Sequence, residues 1–254
     1  MAVIAIFNQK GGVGKTTTAL NVSAGLAMLE LDPLAIDLDP QGHLTLAFGA
    51  TAFAPQDGAF GFFEGGVALD RVVHRLESGR RIIPASLDLS KVDALRGGDP
   101  NISTRLRNGL REGTAAGGAP VIIDCCPMLG VLTLNALIAA DRVLIPVAAD
   151  FLSLQGVDRL DRALNALETK LGRHIERRVL ITRFDARRKL SSEIESELRR
   201  RYGNQVCTTR IVENVALAES PMRGKDIYAY APSSPGARDY AALMRELGGA
   251  GFFS

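Results

Sequence analysis

The sequence predicts an α/β chain, with a mostly parallel, doubly wound sheet flanked by helices. Three observations carry this. An apolar run, Ala2-Val3-Ile4-Ala5-Ile6-Phe7, passes through a glycine-rich loop into a helical run, Ala19 to Leu29. Two more apolar stretches, around Leu34–Leu38 and Val121–Ile123, lead into aspartates. Apolar runs then alternate with helical spacing as far as Phe184. Buried strands separated by helices are the pattern of a parallel sheet.

At 254 residues the chain can be one large α/β domain or two small ones. With 46% hydrophobic and 23% charged residues it can fill an ordinary core. No apolar run approaches the ~18 residues that span a bilayer. The first strand starts at once, so no signal peptide or separate DNA-binding domain is expected ahead of it. Cys125, Cys126 and Cys207 cannot form a paired framework, and the chain is expected to be cytoplasmic. The net charge of +2 hides an asymmetry, because residues 1–150 are net acidic and 151–254 net basic. Most of the cations are arginines, which suit phosphate contacts, although codon bias produces the same excess.

Asn8-Gln9-Lys10-Gly11-Gly12-Val13-Gly14-Lys15-Thr16-Thr17-Thr18 follows the first strand. Glycines let backbone N–H groups close around phosphate oxygens, and a helix starting near Lys15 adds its positive end. Lys15 is placed for the β- and γ-phosphates and Thr16 for Mg²⁺. Lys10 adds a charge that an ordinary phosphate loop does not need. With it the stretch resembles the deviant phosphate loop of the ParA/Soj/MinD family of dimeric ATPases. That resemblance implies a P-loop NTPase fold of the SIMIBI, MinD-like kind. It places Lys10, Gly11, Gly12, Val13, Gly14, Lys15, Thr16 and Thr17 around ATP. In the family the first lysine reaches across a sandwich dimer to the partner's ATP, so Lys10 is expected to act in trans as an arginine finger does elsewhere.

Pro33 to Gly42 reads as a strand, two aspartates and a turn, and resembles the family's second motif, DLDPQG. Strand ends in doubly wound sheets face the ligand crevice. The family puts Asp39 at the attacking water or the Mg²⁺ shell and gives Asp37 a supporting role; either could instead cap the next helix. Residues 49–66 read as a loop whose small aromatic cluster (Phe53, Phe60, Phe62, Phe63) either anchors it or offers a surface to partners, anchoring being favoured because isolated aromatics usually pack. Leu69–Leu76 is expected to be helical, Arg81–Ser86 a strand, Leu87–Leu95 a helix, and 113–120 a flexible connection.

Val121-Ile122-Ile123-Asp124 ends at the Walker B position, where a carboxylate holds the Mg²⁺ water shell opposite Thr16. Cys125 to Leu137 resembles the family's nucleotide-sensing switch, with Cys126 in place of a proline and Met128 in place of a serine; the lost proline should loosen it. Two adjacent cysteines lack cluster-ligand spacing and read as small buried hydrophobes. Asp141–Val147 is a strand, Leu152–Leu171 a helix, and Arg178–Phe184 the last central strand.

Family precedent gives ATP-bound dimers non-specific DNA binding through cations near this last strand. Here Arg187, Arg188 and Lys189 match, with Arg223 as a candidate replacement and Lys225 beside it; Arg199–Arg201 read more readily as a solvated helix face. The family's stretch with a proline and two arginines appears here with Val212, Glu213 and Ala216, so the surface is expected to be redrawn. Asn214 is kept, near the adenine. The tail after Leu247 carries two phenylalanines and no cation, too little for the membrane anchor of MinD relatives.

The resemblance runs from Val3 to about Leu247, so residues 1–254 read as a single ParA-type ATPase domain. It implies a partition or positioning ATPase using ATP and Mg²⁺, homodimeric when ATP-bound and associated with the nucleoid. A ParB-like or other cargo adaptor would stimulate slow hydrolysis. The alternative is an ATP-dependent metabolic or metallocluster-assembly enzyme on the same fold.

Overall fold

The computed structural model describes residues 2–50, 53–113 and 116–254. Within them one sheet is built from β1 Val3–Ile6, β2 Leu34–Leu38, β3 His74–Arg75, β4 Arg81–Ile83, β5 Val121–Cys125, β6 Arg142–Ala148, β7 Glu176–Phe184 and β8 Val206–Val212. The order is β3-β4-β2-β5-β1-β6-β7-β8, and each neighbouring pair is parallel except the β3–β4 hairpin. The helices are α1 Lys15–Met28, α2 His43–Ala47, α3 Ala59–Gly65, α4 Val92–Arg96, α5 Arg105–Glu112, α6 Val131–Ala139, α7 Phe151–Leu171, α8 Lys189–Tyr202, α9 Val215–Glu219, α10 Ile227–Tyr230 and α11 Pro235–Gly249.

Successive strand residues point to opposite faces, so the sheet divides two cores. On one side Val3, Ala5, Ile36, Ile123 and Val143 pack with leucines of α5 to α8. On the other, Ile4, Ile6, Ile122 and Leu144 pack with α1 and α11. Both faces being covered explains the unbroken apolar strands that predicted the fold. The tail joins the second core: Phe252 and Phe253 are buried there, and Arg142 donates to the carbonyl of Ser254 at 2.7 Å. Among the described residues, no helix is long and apolar enough to cross a membrane.

Two expectations are corrected. Within the supposed loop at 49–66, Ala59–Gly65 is helical and buries Phe60, Phe62 and Phe63. The reason is close chain approach: a Cβ on Gly61 would meet the Gln56 carbonyl oxygen at 2.0 Å, so glycine here marks packing rather than a loop. Thr51 and Ala52 lie outside the described residues. In the predicted helix at 69–76 only Leu69–Val72 forms a 3-10 turn, and His74–Arg75 then pairs with β4, as the β-branched Val72-Val73 step favours. Thr114 and Ala115 of the predicted connection at 113–120 also fall outside the described residues.

Candidate nucleotide site

The first strand delivers the glycine loop to the carboxyl ends of β1, β2 and β5. Gly12 and Gly14 have φ of 72° and 86°, which a side chain would oppose. The loop is pinned from outside by residues the motif does not mark. Buried Asn8 donates to the Pro146 carbonyl at 2.7 Å and accepts the Lys10 N–H at 3.0 Å. The Thr182 hydroxyl donates to the Val13 carbonyl at 2.8 Å. No side chain caps α1, so its first N–H groups face the loop as an anion site.

Lys15 is buried, and its Nζ donates to the Lys10 carbonyl at 2.9 Å. Burial lowers its pKa while Asp124 and Asp39 hold it up. Asp37 and Asp124 lie opposite each other on β2 and β5, both fully buried. Asp37 is saturated: it accepts the Asp39 N–H at 3.1 Å, the Thr45 N–H at 2.8 Å and the Thr45 hydroxyl at 2.7 Å. Burial still raises its pKa to about 6. It therefore supports the Asp39 turn and caps α2 at once.

Neither oxygen of Asp124 accepts a well-formed hydrogen bond, although the Thr16 side chain lies close enough to favour its charge. Burial and then Asp37 push its pKa well up, against the pull of Thr16 and Lys15. An orphaned buried carboxylate beside the loop threonine fits a divalent cation held through water. Asp39 is half-buried, accepts the Gln41 N–H at 2.9 Å, and shares the wall of a cavity of about 750 Å³ with Gly11, Lys15 and Thr16. A second cavity, about 300 Å³, is bounded by Gly12, Thr17, Thr182 and Asn214. Asn214 caps α9 through the Ala216 N–H at 2.8 Å. Arg183, at the strained φ of 51°, also borders this cavity and pairs with Glu213 at 3.0 Å.

Lys10 points elsewhere. Its Nζ pairs with Asp150 and lies 3.2 Å from the Ser153 hydroxyl. Asp150 also caps α7 by accepting the Ser153 N–H at 3.1 Å. Sequence reasoning missed the roles of Asn8, Thr182, Asp150 and Ser153 because each also acts on a partner 138 or more positions away, which no local spacing marks. All three cysteines are buried.

The candidate DNA cations are arranged differently. Arg187 forks onto Asp185 at 2.9 and 3.0 Å; it is highly exposed and pulls the Asp185 pKa down to about 2. Arg188 lies 3.3 Å from Asp185 and 3.8 Å from Glu213, and Lys189 is 3.4 Å from Glu193. Arg223 sits apart, at the end of a 3-10 turn packed on α2, with no ion pair among the described residues. Arg199, Arg200 and Arg201 are all paired with glutamates of their own helix.

A parallel sheet, a phosphate loop opening a helix, and a buried carboxylate beside the loop threonine together define a P-loop ATPase that works with ATP and Mg²⁺. The comparisons narrow this class. The AAA domain family matches residues 1–177. The chain is 40% identical to the chromosome-partitioning ATPase Soj of Thermus thermophilus over 96% of its own length and 94% of that protein's. It is 38% identical to the chromosome partitioning protein ParA of Myxococcus xanthus, over 96% and 87% respectively. Among solved structures it resembles cobyrinic acid a,c-diamide synthase of Mycobacterium smegmatis with bound ATP analog and magnesium. There the TM-score is 0.83 and the identity 29%, over 97% and 94% of the two chains. The chain belongs to the ParA/Soj family of P-loop ATPases.

Proposed function

We propose that this chain is a partition or positioning ATPase whose residues 1–254 act as one ATPase domain. Two copies close face to face over ATP, the closed dimer holds DNA without sequence preference, and an adaptor protein stimulates slow hydrolysis to release it. The cargo is a plasmid, a chromosome or a protein assembly, and the working place is the nucleoid within the cytoplasm.

The placement of each residue supports a role in this reading. Lys15 and the N–H groups of Gly12 to Thr17 hold the phosphates. Thr16 and, through water, Asp124 hold Mg²⁺, which neutralises phosphate charge when bound. Asp39 orients the attacking water, and Asn214 borders the adenine. Arg187, Arg188, Lys189 and Arg223 are the cations offered to DNA.

The observation that carries the reading is the direction of Lys10. Its ammonium turns onto Asp150 and Ser153, while Lys15 serves the loop of its own chain. A lysine turned away from its own loop and held there by a partly exposed ion pair can be exchanged onto a partner's nucleotide. Lys10→Ala should keep ATP binding within about threefold and lower ATP-dependent dimerisation and hydrolysis by at least about tenfold. Light scattering and phosphate release read this directly, and unchanged dimerisation would sink the assignment.

One observation favours the rival, a metabolic enzyme on this fold: the name of the Mycobacterium structure. It weighs less than the partition relatives, which are more similar in sequence.

A further inference from the structure

The loop between Asp124 and α6, residues 126–130, closes one side of the larger cavity. From below it is held by Thr133, whose hydroxyl donates to the Met128 carbonyl at 2.6 Å. Its far end enters α6 at Gly130, which has no side chain with which to cap the helix. The exposed first-turn N–H of Val131 is taken instead by Asp93, whose Oδ1 accepts it at 2.6 Å from α4, 38 residues earlier. An unpaired N–H at a helix start is satisfied well by a carboxylate, which the helix dipole also favours.

The fit is specific to glycine at 130. A Cβ there would stand 2.5 Å from Asp93 Oδ2, so any side chain pushes the carboxylate off. Glycine is not required by backbone angle at this position, because φ is −128°. Close approach of Asp93 is what requires it.

Asp93 therefore ties two segments that both wall the cavity: the 126–130 loop, which follows Asp124, and α4 with the turn before it. Each segment exposes large apolar side chains beside the tie. Leu87 and Leu95 flank Asp93 in sequence at 68% and 57% exposure, and Met128 and Leu129 precede Gly130 at 74% and 55%. Both segments that Asp93 ties thus carry exposed apolar side chains as well as cavity wall.

We infer that Asp93 is a positioning residue that carries the state of the Asp124 loop to α4, so that the two apolar segments move into register together when the phosphate site fills. The inference rests on the nucleotide reading proposed above and adds the means by which that site reaches α4. Without the tie, the loop responds to nucleotide and α4 does not.

Hydrogen exchange on the full chain, with and without a non-hydrolysable ATP analogue and Mg²⁺, tests this. In the wild type the analogue should slow exchange in both 126–132 and 92–96. In Asp93→Ala only 126–132 should respond, and kcat for basal hydrolysis should fall roughly five- to tenfold with a smaller change in KM, the scale of a lost cap. Asp93→Asn keeps the accepting oxygen and should behave as the wild type. Gly130→Ala, which displaces the same carboxylate, should reproduce the defect of Asp93→Ala and serves where Asp93→Ala does not fold.

A response at 92–96 that persists in both defective variants overturns the inference. So does an Asp93→Asn variant as impaired as Asp93→Ala, or a wild type that responds only at 126–132. A wild type that shows the paired response yet never dimerises would instead overturn the dimer reading and leave the role of Asp93 standing.

Discussion

Asp37 and Asp185 sit at the carboxyl ends of two strands of one sheet, and their chemistry is opposite. Asp37 ends β2 under full burial, and loss of water raises its pKa to about 6 although three hydrogen bonds favour its charge. Asp185 follows β7 in solvent, and the forked Arg187 draws its pKa down to about 2. Around Asp37 a charge has been removed from water and left short of cations. Around Asp185 every cation already has a carboxylate. The nucleotide end is therefore built to take up positive charge, while the basic stretch has largely neutralised itself. A motif of charged residues acquires its meaning from what satisfies those charges.

The largest effect expected from this contrast is on stability at the Asp37 end. An unfolded aspartate titrates near 3.8 and Asp37 near 6. Between these values the folded chain keeps a proton that the unfolded chain has released, so folding is favoured at low pH in that window and the advantage is lost as pH rises through about 6. Compared with Asp37→Asn, the wild type should lose stability between pH 4.5 and 7. The variant is itself weaker at all pH, because an amide offers one acceptor oxygen to two N–H groups and a hydroxyl. Denaturant unfolding at both pH values gives the difference, and a difference that stays constant would show that Asp37 ionises like a solvated residue. Asp185 has the opposite sign, with stability present above 3.8 and lost as pH falls through about 2, and its exposure leaves little to measure.

At the basic surface the test is to remove a carboxylate. Glu213 lies 3.0 Å from Arg183 and 3.8 Å from Arg188. Glu213→Gln should free Arg183 and leave Arg188 with Asp185 as its one carboxylate, tightening DNA retention about threefold at ~100 mM salt, with a steeper fall as salt rises. Retention unchanged in Glu213→Gln but lost in Arg223→Glu would move the contact to the α2 side of the molecule.

The two regions were also unequally legible in the sequence. The loop 8–18, Asp39 and Asp124 could be read because a strand, a turn and a helix place them within one short stretch each. The sheet was legible because burial on both faces leaves strands such as Val121–Ile123 wholly apolar. Helix α5 and edge strand β8 were not, since each buries only a few residues: Leu106 and Leu110 in one, Val206, Cys207 and Ile211 in the other. The pairings that matter most, Lys10 with Asp150 and Asp93 with Val131, span 140 and 38 positions. No local period records such contacts. The same holds for the pairing of Arg188 with Glu213, which turned an apparent cationic patch into a network.

Lys10 is where the two regions can be compared most closely, because it is a loop lysine held in the manner of the basic surface, by a carboxylate. The side chains of Lys10 and Asp150 are 30% and 43% exposed, so the pair is worth about 1 kcal/mol at most. That is small enough to be exchanged for a phosphate and large enough to bias Lys10 toward its own chain. Asp150→Asn keeps the acceptor that caps α7 and removes the charge that holds the lysine. It should therefore lower the ATP concentration for half-maximal dimerisation about fivefold while leaving thermal stability nearly unchanged. Ser153→Ala, which removes a neutral partner, should shift it less than about twofold. Weaker dimerisation in Asp150→Asn would reverse the reading: Asp150 would then be guiding Lys10 toward the partner, and its carboxylate would belong to the closed dimer rather than to the open chain.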